Sequence, residues 1–429
     1  MRSWRVSLGM CFVAWLFAGG LAPFSGPGGT RLCAAETTVT LVRLPDRGYQ
    51  QQVVDDAKGV IHVVYVKGDA ESADIFYTRL EPGAARFTPA LRVNSQAACA
   101  TALGTIRGPA IALGRNGRVH ISWTGNAKAL PRGPLNPSMD KDSPYNGTPF
   151  LYARLNDAGT GFEAQRNLMQ FTFGLDGGGS LAADGAGHVY AVWHGLSGTG
   201  KSESDRCVYV SVSADDGKTF ARETAANPNP WGACGCCALR AFTDAQGFLY
   251  VLYRSAKGGT ERDMNLLISR DHGRTWQELP VDDWNVGQCV MSSAALTEAC
   301  APAVESTPST PSARAAGESP VTGAWETKGQ VFFATIDPKT NRLSAKIAAP
   351  GAAGSRKHPS VARNAAGETL LVWTEDTGWA RGGKVAWQVF DRNGQPETAA
   401  DSSGRKDGVP AWGLASAASR PDGSFVVIY

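Results

Sequence analysis

Six times in this 429-residue chain a glycine opens a short apolar strand that closes, six residues on, with an aromatic. The copies run from Gly59 to Tyr65, Gly117 to Trp123, Gly187 to Trp193, Gly247 to Tyr253, Gly367 to Trp373 and Gly423 to Tyr429. Successive glycines lie 58, 70, 60, 120 and 56 residues apart. The 120 is two periods, so a degenerate copy stands between Gly247 and Gly367, and seven copies are implied. Such a period restricts the chain to small units that bury their faces on one another. Glycine suits the opening turn because it adopts positive φ without steric cost.

The units read as four short strands each. Unit one spans about 51–94, with VIHVVYV and DIFYTRL alternating apolar and polar as half-buried strands do. Unit two carries RVHISW, an insertion at 124–148 rich in Pro, Asn and Gly, and FLYARL. Units three and four follow from about Gly177 and Cys237. Unit five is the degenerate one and is interrupted at 300–320 by a Ser/Pro/Ala-rich stretch that lacks the apolar content to pack. Unit six covers Pro359 to Glu397, and long helix signatures are absent. Two C-terminal strands (WGLASAAS and SFVVIY) and a lone N-terminal strand, Thr38 to Leu44, remain. The expected fold is an all-β propeller of four-stranded blades whose last blade is made by both termini, since ring closure removes exposed edges. Seven blades are favoured, with six as the alternative.

Residues 1–35 have the layout of a secretory signal peptide: Arg2 and Arg5, an apolar run from Leu8 to Ala18, and a small-residue exit at Cys33-Ala34-Ala35. Residues 36–429 then form a single propeller domain, exported to the periplasm or the extracellular space and without stable membrane insertion. The chain has 42 basic and 39 acidic residues, and removing Arg2, Arg5 and Arg31 leaves the mature part formally neutral. That removes the bulk-charge case for nucleic acid as a partner.

Two turns carry a resemblance to a known family. Ser213-Ala-Asp215-Asp-Gly217-Lys-Thr219-Phe220 and Ser269-Arg-Asp271-His-Gly273-Arg-Thr275-Trp276 stand 56 residues apart. Both resemble the Asp-box (BNR repeat) of the sialidase superfamily, S-x-D-x-G-x-T-F/W, at every defined position. The resemblance implies a propeller in which these turns join the third and fourth strands on the face away from the active site, so they mark fold and not chemistry. In that family three arginines clamp a sugar carboxylate, a tyrosine activated by a glutamate attacks the anomeric carbon, and an aspartate is the acid/base. The family's Arg-Ile-Pro motif has its nearest counterpart in Arg43-Leu44-Pro45. The remaining catalytic set is not recognisable, so enzymatic activity is left open.

The starts of the innermost strands crowd around a propeller axis, and here they bring Tyr49, Arg107, Arg240, Arg356, His358 and Trp412 forward as ligand-binding candidates. Arg107, Arg240 and Arg356 are expected to converge on an anion or a glycan carboxylate, with Arg240 the best placed. Trp284, Trp379 and Trp412 are candidate stacking surfaces for sugar rings. Cys207, Cys234, Cys236, Cys237 and Cys289 are disulfide candidates, because bridges are the default in an exported chain. One bridge is expected from the cluster to Cys289 and another to Cys207. No cofactor and no metal ligand set is expected, although copper or zinc on the thiolates stays open. Asn146-Gly-Thr148 fits an N-glycosylation acceptor. His62 and His120 recur three residues beyond their glycines and read as packing residues. The function expected is binding of glycans or glycoproteins, acidic ones foremost, at the central face. A glycoside hydrolase or lyase and a protein-interaction scaffold are the alternatives.

Overall fold

The computed structural model describes residues 38–299 and 319–429. The leader at 1–35 and most of the 300–320 insertion lie outside the described residues. Seven sheets form the propeller of residues 38–429. Blade 1 is made of Tyr49–Asp55, Ile61–Asp69, Ser72–Leu80 and Leu91–Arg92, in that order from the axis outward. Blades 2, 3, 4 and 6 repeat this four-stranded antiparallel pattern, beginning at Ala110–Leu113, Ser180–Ala183, Arg240–Thr243 and Arg356–Arg363. Blade 5, beginning at Ala294–Thr297, gains a fifth strand, since Ile347–Ala348 pairs with Gln330–Asp337 beside Arg342–Leu343. Neighbouring innermost strands touch all the way round, and the six-bladed alternative is set aside.

Both ends of the chain build blade 7. Ser416–Ser419 is innermost, Phe425–Ile428 follows, and Val39–Val42 lies parallel to it in the register Val39↔Phe425 to Val42↔Ile428. Backbone bonds from Phe425 to Thr38, Tyr429 to Val42 and Leu44 to Tyr429, at 2.9, 3.1 and 2.9 Å, extend the seam past both strand ends.

The repeated aromatic explains why seven separate sheets cohere. Seven apolar clusters fill the seven blade interfaces, and each holds one aromatic from the end of a second strand. Tyr65 serves blades 7 and 1, Trp123 blades 1 and 2, Trp193 blades 2 and 3, and Tyr253 blades 3 and 4. Trp373 serves blades 5 and 6, and Tyr429 blades 6 and 7. In the degenerate unit Trp325 takes the same place between blades 4 and 5. Large rings bury the most apolar area per residue, and one at each interface holds neighbouring sheets at the spacing their smaller partners fill. The opening glycines all have positive φ, from +71° at Gly117 to +99° at Gly187.

The Ser213–Phe220 and Ser269–Trp276 turns connect third to fourth strands and share one hydrogen-bond pattern. Asp215 Oδ1 accepts from Thr219 N at 2.8 Å, Asp215 Oδ2 from the Thr219 hydroxyl at 2.6 Å, and Ser213 Oγ from Gly217 N at 2.9 Å. Asp271, Thr275, Ser269 and Gly273 reproduce these contacts at 2.9, 2.6 and 2.8 Å. Burial alone would raise both carboxyls, but the bonds from threonine and serine override it and bring each down to about 2. A carboxyl depressed in the folded state stabilises the fold above its unfolded value near 4, and that stabilisation is lost as pH falls towards 2. Asp215→Ala and Asp271→Ala are therefore each expected to cost about 1–3 kcal/mol at neutral pH. In urea titrations the deficit should shrink between about pH 4 and pH 2; a deficit that is constant with pH would contradict the assignment.

On the same face the histidines settle into a repeated device. His62 Nδ1 meets the Tyr77 hydroxyl at 2.7 Å with Asp56 at 3.5 Å, and His120 Nδ1 meets Tyr152 at 2.7 Å with Asp216 at 3.6 Å. Asn146 departs from expectation. Its side chain is buried in the 124–148 insertion, and its Nδ2 donates to the carbonyls of Asn136 and Asp140 at 3.2 Å, so the folded chain keeps the glycan-acceptor nitrogen occupied.

Candidate functional site at the axial face

The loops that enter the innermost strands lie on the face opposite the two Ser/Asp/Thr turns, and their backbone is strained there. Gln50, Met291, His358 and Trp412, at the entries to blades 1, 5, 6 and 7, have φ of +47°, +45°, +54° and +62°. Residues with a Cβ reach this region at an energetic cost, and such strain persists where surrounding contacts enforce it. The enforcing element is the loop before blade 2. Gln50 Nε2 donates to the Ala102 carbonyl at 2.6 Å and the Gly104 carbonyl at 3.1 Å. Thr105 Oγ1 meets His358 Nε2 at 2.8 Å, and the Ile106 carbonyl accepts from Gly178 N at 2.8 Å. A Cβ added at Gly104 would lie 2.8 Å from Met291 Cε and 3.5 Å from Trp379. One short segment thus touches blades 1, 3, 5 and 6, which it can do only by crossing the axis.

Beneath this cap runs a cavity of about 400 Å³ bounded by innermost strands of all seven blades. Arg240 lines it. Its Nε donates to the Ala294 carbonyl at 3.2 Å, and no carboxylate among the described residues pairs with it. Its accessible surface faces the cavity, and desolvation lowers its pKa from 12.5 to about 10, so it remains a cation at neutral pH.

The three arginines expected to converge are spent separately. Arg107 donates to the carbonyls of Asp176 and Leu103 and to the Asp176 carboxylate, which uses its fork on the cap itself. Arg356 is buried under blade 6, donating to Gln330 Oε1 at 2.9 Å and to the carbonyls of Ala349 and Pro350 at 3.1 and 2.7 Å, with Glu375 at 3.4 Å. Arg43 stacks over the Tyr429 ring at 4.9 Å. Tyr49 is buried between blades 1 and 2, donates to the Gly68 carbonyl at 3.1 Å, and is pushed up to about 12 by burial first and Asp69 second. His358 is buried between Thr105 and Ser293, and desolvation, aided by Lys357, holds it well below its usual range and therefore neutral. Tyrosine–carboxylate pairs do occur, at Tyr190–Asp184, Tyr250–Asp244 and Tyr253–Glu278. The first two lie in turns of the opposite face and the third is buried among the strands of blade 4.

What remains open on the axial face is aromatic. Trp379, on the loop between the second and third strands of blade 6, is 65% exposed and stands edge-to-face with Trp412 at 4.8 Å between centroids. The exposed Arg381 shares its loop. Trp284 is used otherwise, since Arg254 stacks over it at 4.9 Å.

Between blades 4 and 5 the cysteines gather as the spacing implied. Cys236 and Cys289 form a disulfide with Cα atoms 6.3 Å apart, while Cys207 is a free thiol, so the second expected bridge is absent from the structure. Cys234 and Cys237 are buried free thiols with sulfurs 2.8 Å apart, and Cys234 lies 3.5 Å from Cys236. Cys234 and Cys237 stand in a C-x-x-C relation. Desolvation raises Cys237, but Cys234, Arg254 and Ser292 bring it down to about 7, while Cys234 is pushed up by its hydrogen bond with Cys237 first and by burial second. Cys234, Cys236 and Cys237 place three sulfurs within 4.8 Å of one another. A second group of donors, Asp184, His188 and His272, does the same on the opposite face.

Sequence reading also missed the ionic groups that hold this quarter together. Arg254 is buried, with Nε on Ser292 Oγ at 2.7 Å and its two other nitrogens on the carbonyls of Arg262 and Glu326. Glu326 is buried too, raised by desolvation, and accepts from His358 N at 2.7 Å. A charged residue directly after a strand's buried aromatic, as in Tyr253-Arg254 and Trp325-Glu326, was the available signal.

No family model matches the sequence, and no curated protein matches it. Solved structures do match in fold. The NanB sialidase from Streptococcus pneumoniae superposes with a TM-score of 0.50 at 9% identity, over 78% of this chain and 66% of that one. The chain therefore spans just under two thirds of that sialidase's length. Its K499G mutant gives the same TM-score at 10% identity and the same coverage. An α-L-arabinanase from Penicillium chrysogenum aligns over 83% of this chain and 98% of its own, at 11% identity and a TM-score of 0.48. The likeness is one of fold, a β-propeller.

Proposed function

We propose that this chain is an exported, sialidase-like propeller that binds a glycan on its axial face without hydrolysing it. The observation that carries the reading is Trp379, a large ring left exposed above the axis and braced edge-on by Trp412. An exposed tryptophan held in one orientation offers a flat apolar surface to the C–H face of a sugar, at little cost in side-chain entropy. Arg381 beside it supplies a cationic hydrogen-bonding group at the rim and favours acidic sugars. The likeness in fold to the NanB sialidase supports carbohydrate as the ligand class. Hydrolysis is disfavoured because two tyrosine–carboxylate pairs lie on the opposite face, the third lies among the strands of blade 4, and the arginines do not form one clamp. The scaffold reading has no observation of its own.

The test is a glycan array followed by calorimetry on the best ligand. Trp379→Ala should retain the wild-type melting temperature and lose at least about tenfold in affinity, about 1.4 kcal/mol. Arg240→Ala, under the cap, should bind as wild type does. Unchanged binding by Trp379→Ala would place the ligand elsewhere, and a strong loss with Arg240→Ala would move it into the axial cavity. Release of free sugar from the bound glycan would restore the hydrolase reading.

A further inference from the structure

We propose that Cys234, Cys236, Cys237 and Cys289 form a thiolate site for one soft d10 cation, of the Zn²⁺ or Cu⁺ class, that loads when the Cys236–Cys289 bridge is open. The site is separate from the glycan surface. It is built from two loops entering neighbouring blades, so Cys289 meets the clustered sulfurs of Cys234, Cys236 and Cys237 at one blade interface.

The geometry is close to what a metal requires. Zinc–sulfur bonds of about 2.3 Å place the sulfurs of a tetrahedral site roughly 3.8 Å apart. Cys234 and Cys236 already stand at 3.5 Å, and Cys234, Cys236 and Cys237 all lie within 4.8 Å of one another. Cys289 joins them through Cys236. Small outward rotations about χ1 would spread the set around a cation without moving the backbone. Val290 packs against the buried cysteines, with Trp284 and Val286 beside it, and this apolar wall would shield a thiolate centre from water.

The second observation is independent of the sulfurs. Arg262 is 5% exposed, yet its Nε and Nη1 have no acceptor among the described residues, and Nε of Arg206 is likewise buried without one. Arg262 is engaged at Nη2 by Glu203 and Arg206 at Nη1 by the Gly174 carbonyl. A Cβ added at Gly235, inside the cysteine loop, would lie 3.0 Å from Arg206 Nε. Buried guanidinium donors left unpaired beside neutral sulfur are costly. A metal–thiolate centre carries net negative charge on those sulfurs and would supply the missing acceptors.

The balance of the loading step is simple. A dithiol reductant gives two electrons and two protons to the Cys236–Cys289 bond and becomes a disulfide, leaving four thiols on the chain. Metal binding then displaces their protons to solvent. With the bridge closed only Cys234 and Cys237 remain as ligands, so affinity falls.

The experiment uses the full-length protein, reduced with a dithiol under anaerobic conditions, freed of reductant, and titrated separately with Zn²⁺, Cu⁺ and Co²⁺. The reduced protein should take up about one Zn²⁺ or Cu⁺ per chain. Bound Co²⁺ should show thiolate-to-metal charge transfer of the intensity expected for three or four thiolates, displaced by Zn²⁺. The oxidised protein should bind far more weakly. Cys234→Ser/Cys237→Ser should abolish uptake, and Cys99→Ser/Cys207→Ser, outside the cluster, should leave it unchanged. The cobalt spectrum of the wild type decides the matter even if the first double variant fails to fold. No uptake by the reduced protein, a cobalt spectrum without thiolate bands, or equal uptake in the oxidised form would overturn the proposal.

Discussion

Removing residues 38–44 is expected to lower the melting temperature by about 10 °C or more. Val39–Val42 supplies the third strand of blade 7, and four parallel register pairs join it to Phe425–Ile428. Val39 and Leu41 pack against the cluster between blades 6 and 7, while Leu44 is buried between blades 7 and 1. Losing several part-buried aliphatic side chains at about 1.5–3 kcal/mol each for full burial costs several kcal/mol. The backbone edge of Phe425–Ile428 would be uncovered as well, which adds a risk of edge-to-edge association. Gln51 of blade 1 also reaches blade 7, donating to the Leu414 and Ile428 carbonyls at 3.0 and 2.8 Å, and the N-terminal strand adds a backbone seam to those contacts, so its loss falls on closure and not on one local unit. A truncated chain with unchanged melting and an intact β-sheet spectrum would show that the ring is closed without the strand.

The ring was legible because its period is written in residues with one physical reason each. Glycine marks a turn with positive φ and the aromatic six residues on marks a blade interface, so counting them counts blades. Unit five hid its copy because the 300–320 insertion separates its first strand from its second, yet Trp325 still fills the interface. The small addition at Ile347–Ala348 escaped notice because two-residue strands leave no alternation to read.

The site was legible in part. The approach of Cys289 to the Cys234–Cys237 cluster follows from equal positions in neighbouring units, and the bridge to Cys236 fits that rule. The expected convergence of Arg107, Arg240 and Arg356 does not follow from position alone. Sequence places a residue at the start of an innermost strand, but the loop from Ala102 to Gly108 decides what that residue meets. Nothing in the text of that loop announces that it crosses the axis. Its signal is distributed over partners far away, Gln50, Gly178, Met291 and His358, and appears only when the blades are assembled.

Arg254→Ala is expected to destabilise the protein by about 3–5 kcal/mol, more than either turn aspartate. The guanidinium of Arg254 is buried and spends its three nitrogens on three different acceptors: Ser292 Oγ before blade 5, the Arg262 carbonyl in blade 4 and the Glu326 carbonyl in blade 5. Its plane covers Trp284, which in turn packs on the cysteines. Alanine would leave those acceptors buried without donors and remove positive charge from beside the buried Glu326 carboxylate. Lysine should restore little, because one ammonium on a flexible stem cannot meet three acceptors fanned around a plane or stack on indole as guanidinium does. Methionine separates the two contributions, since it keeps the apolar stem and loses every donor. The order expected in denaturant unfolding is wild type, then Lys, then Met and Ala together. Full rescue by lysine would mean that charge alone matters at this position. A loss below about 1 kcal/mol for alanine would mean that blades 4 and 5 are held by their apolar interface without it.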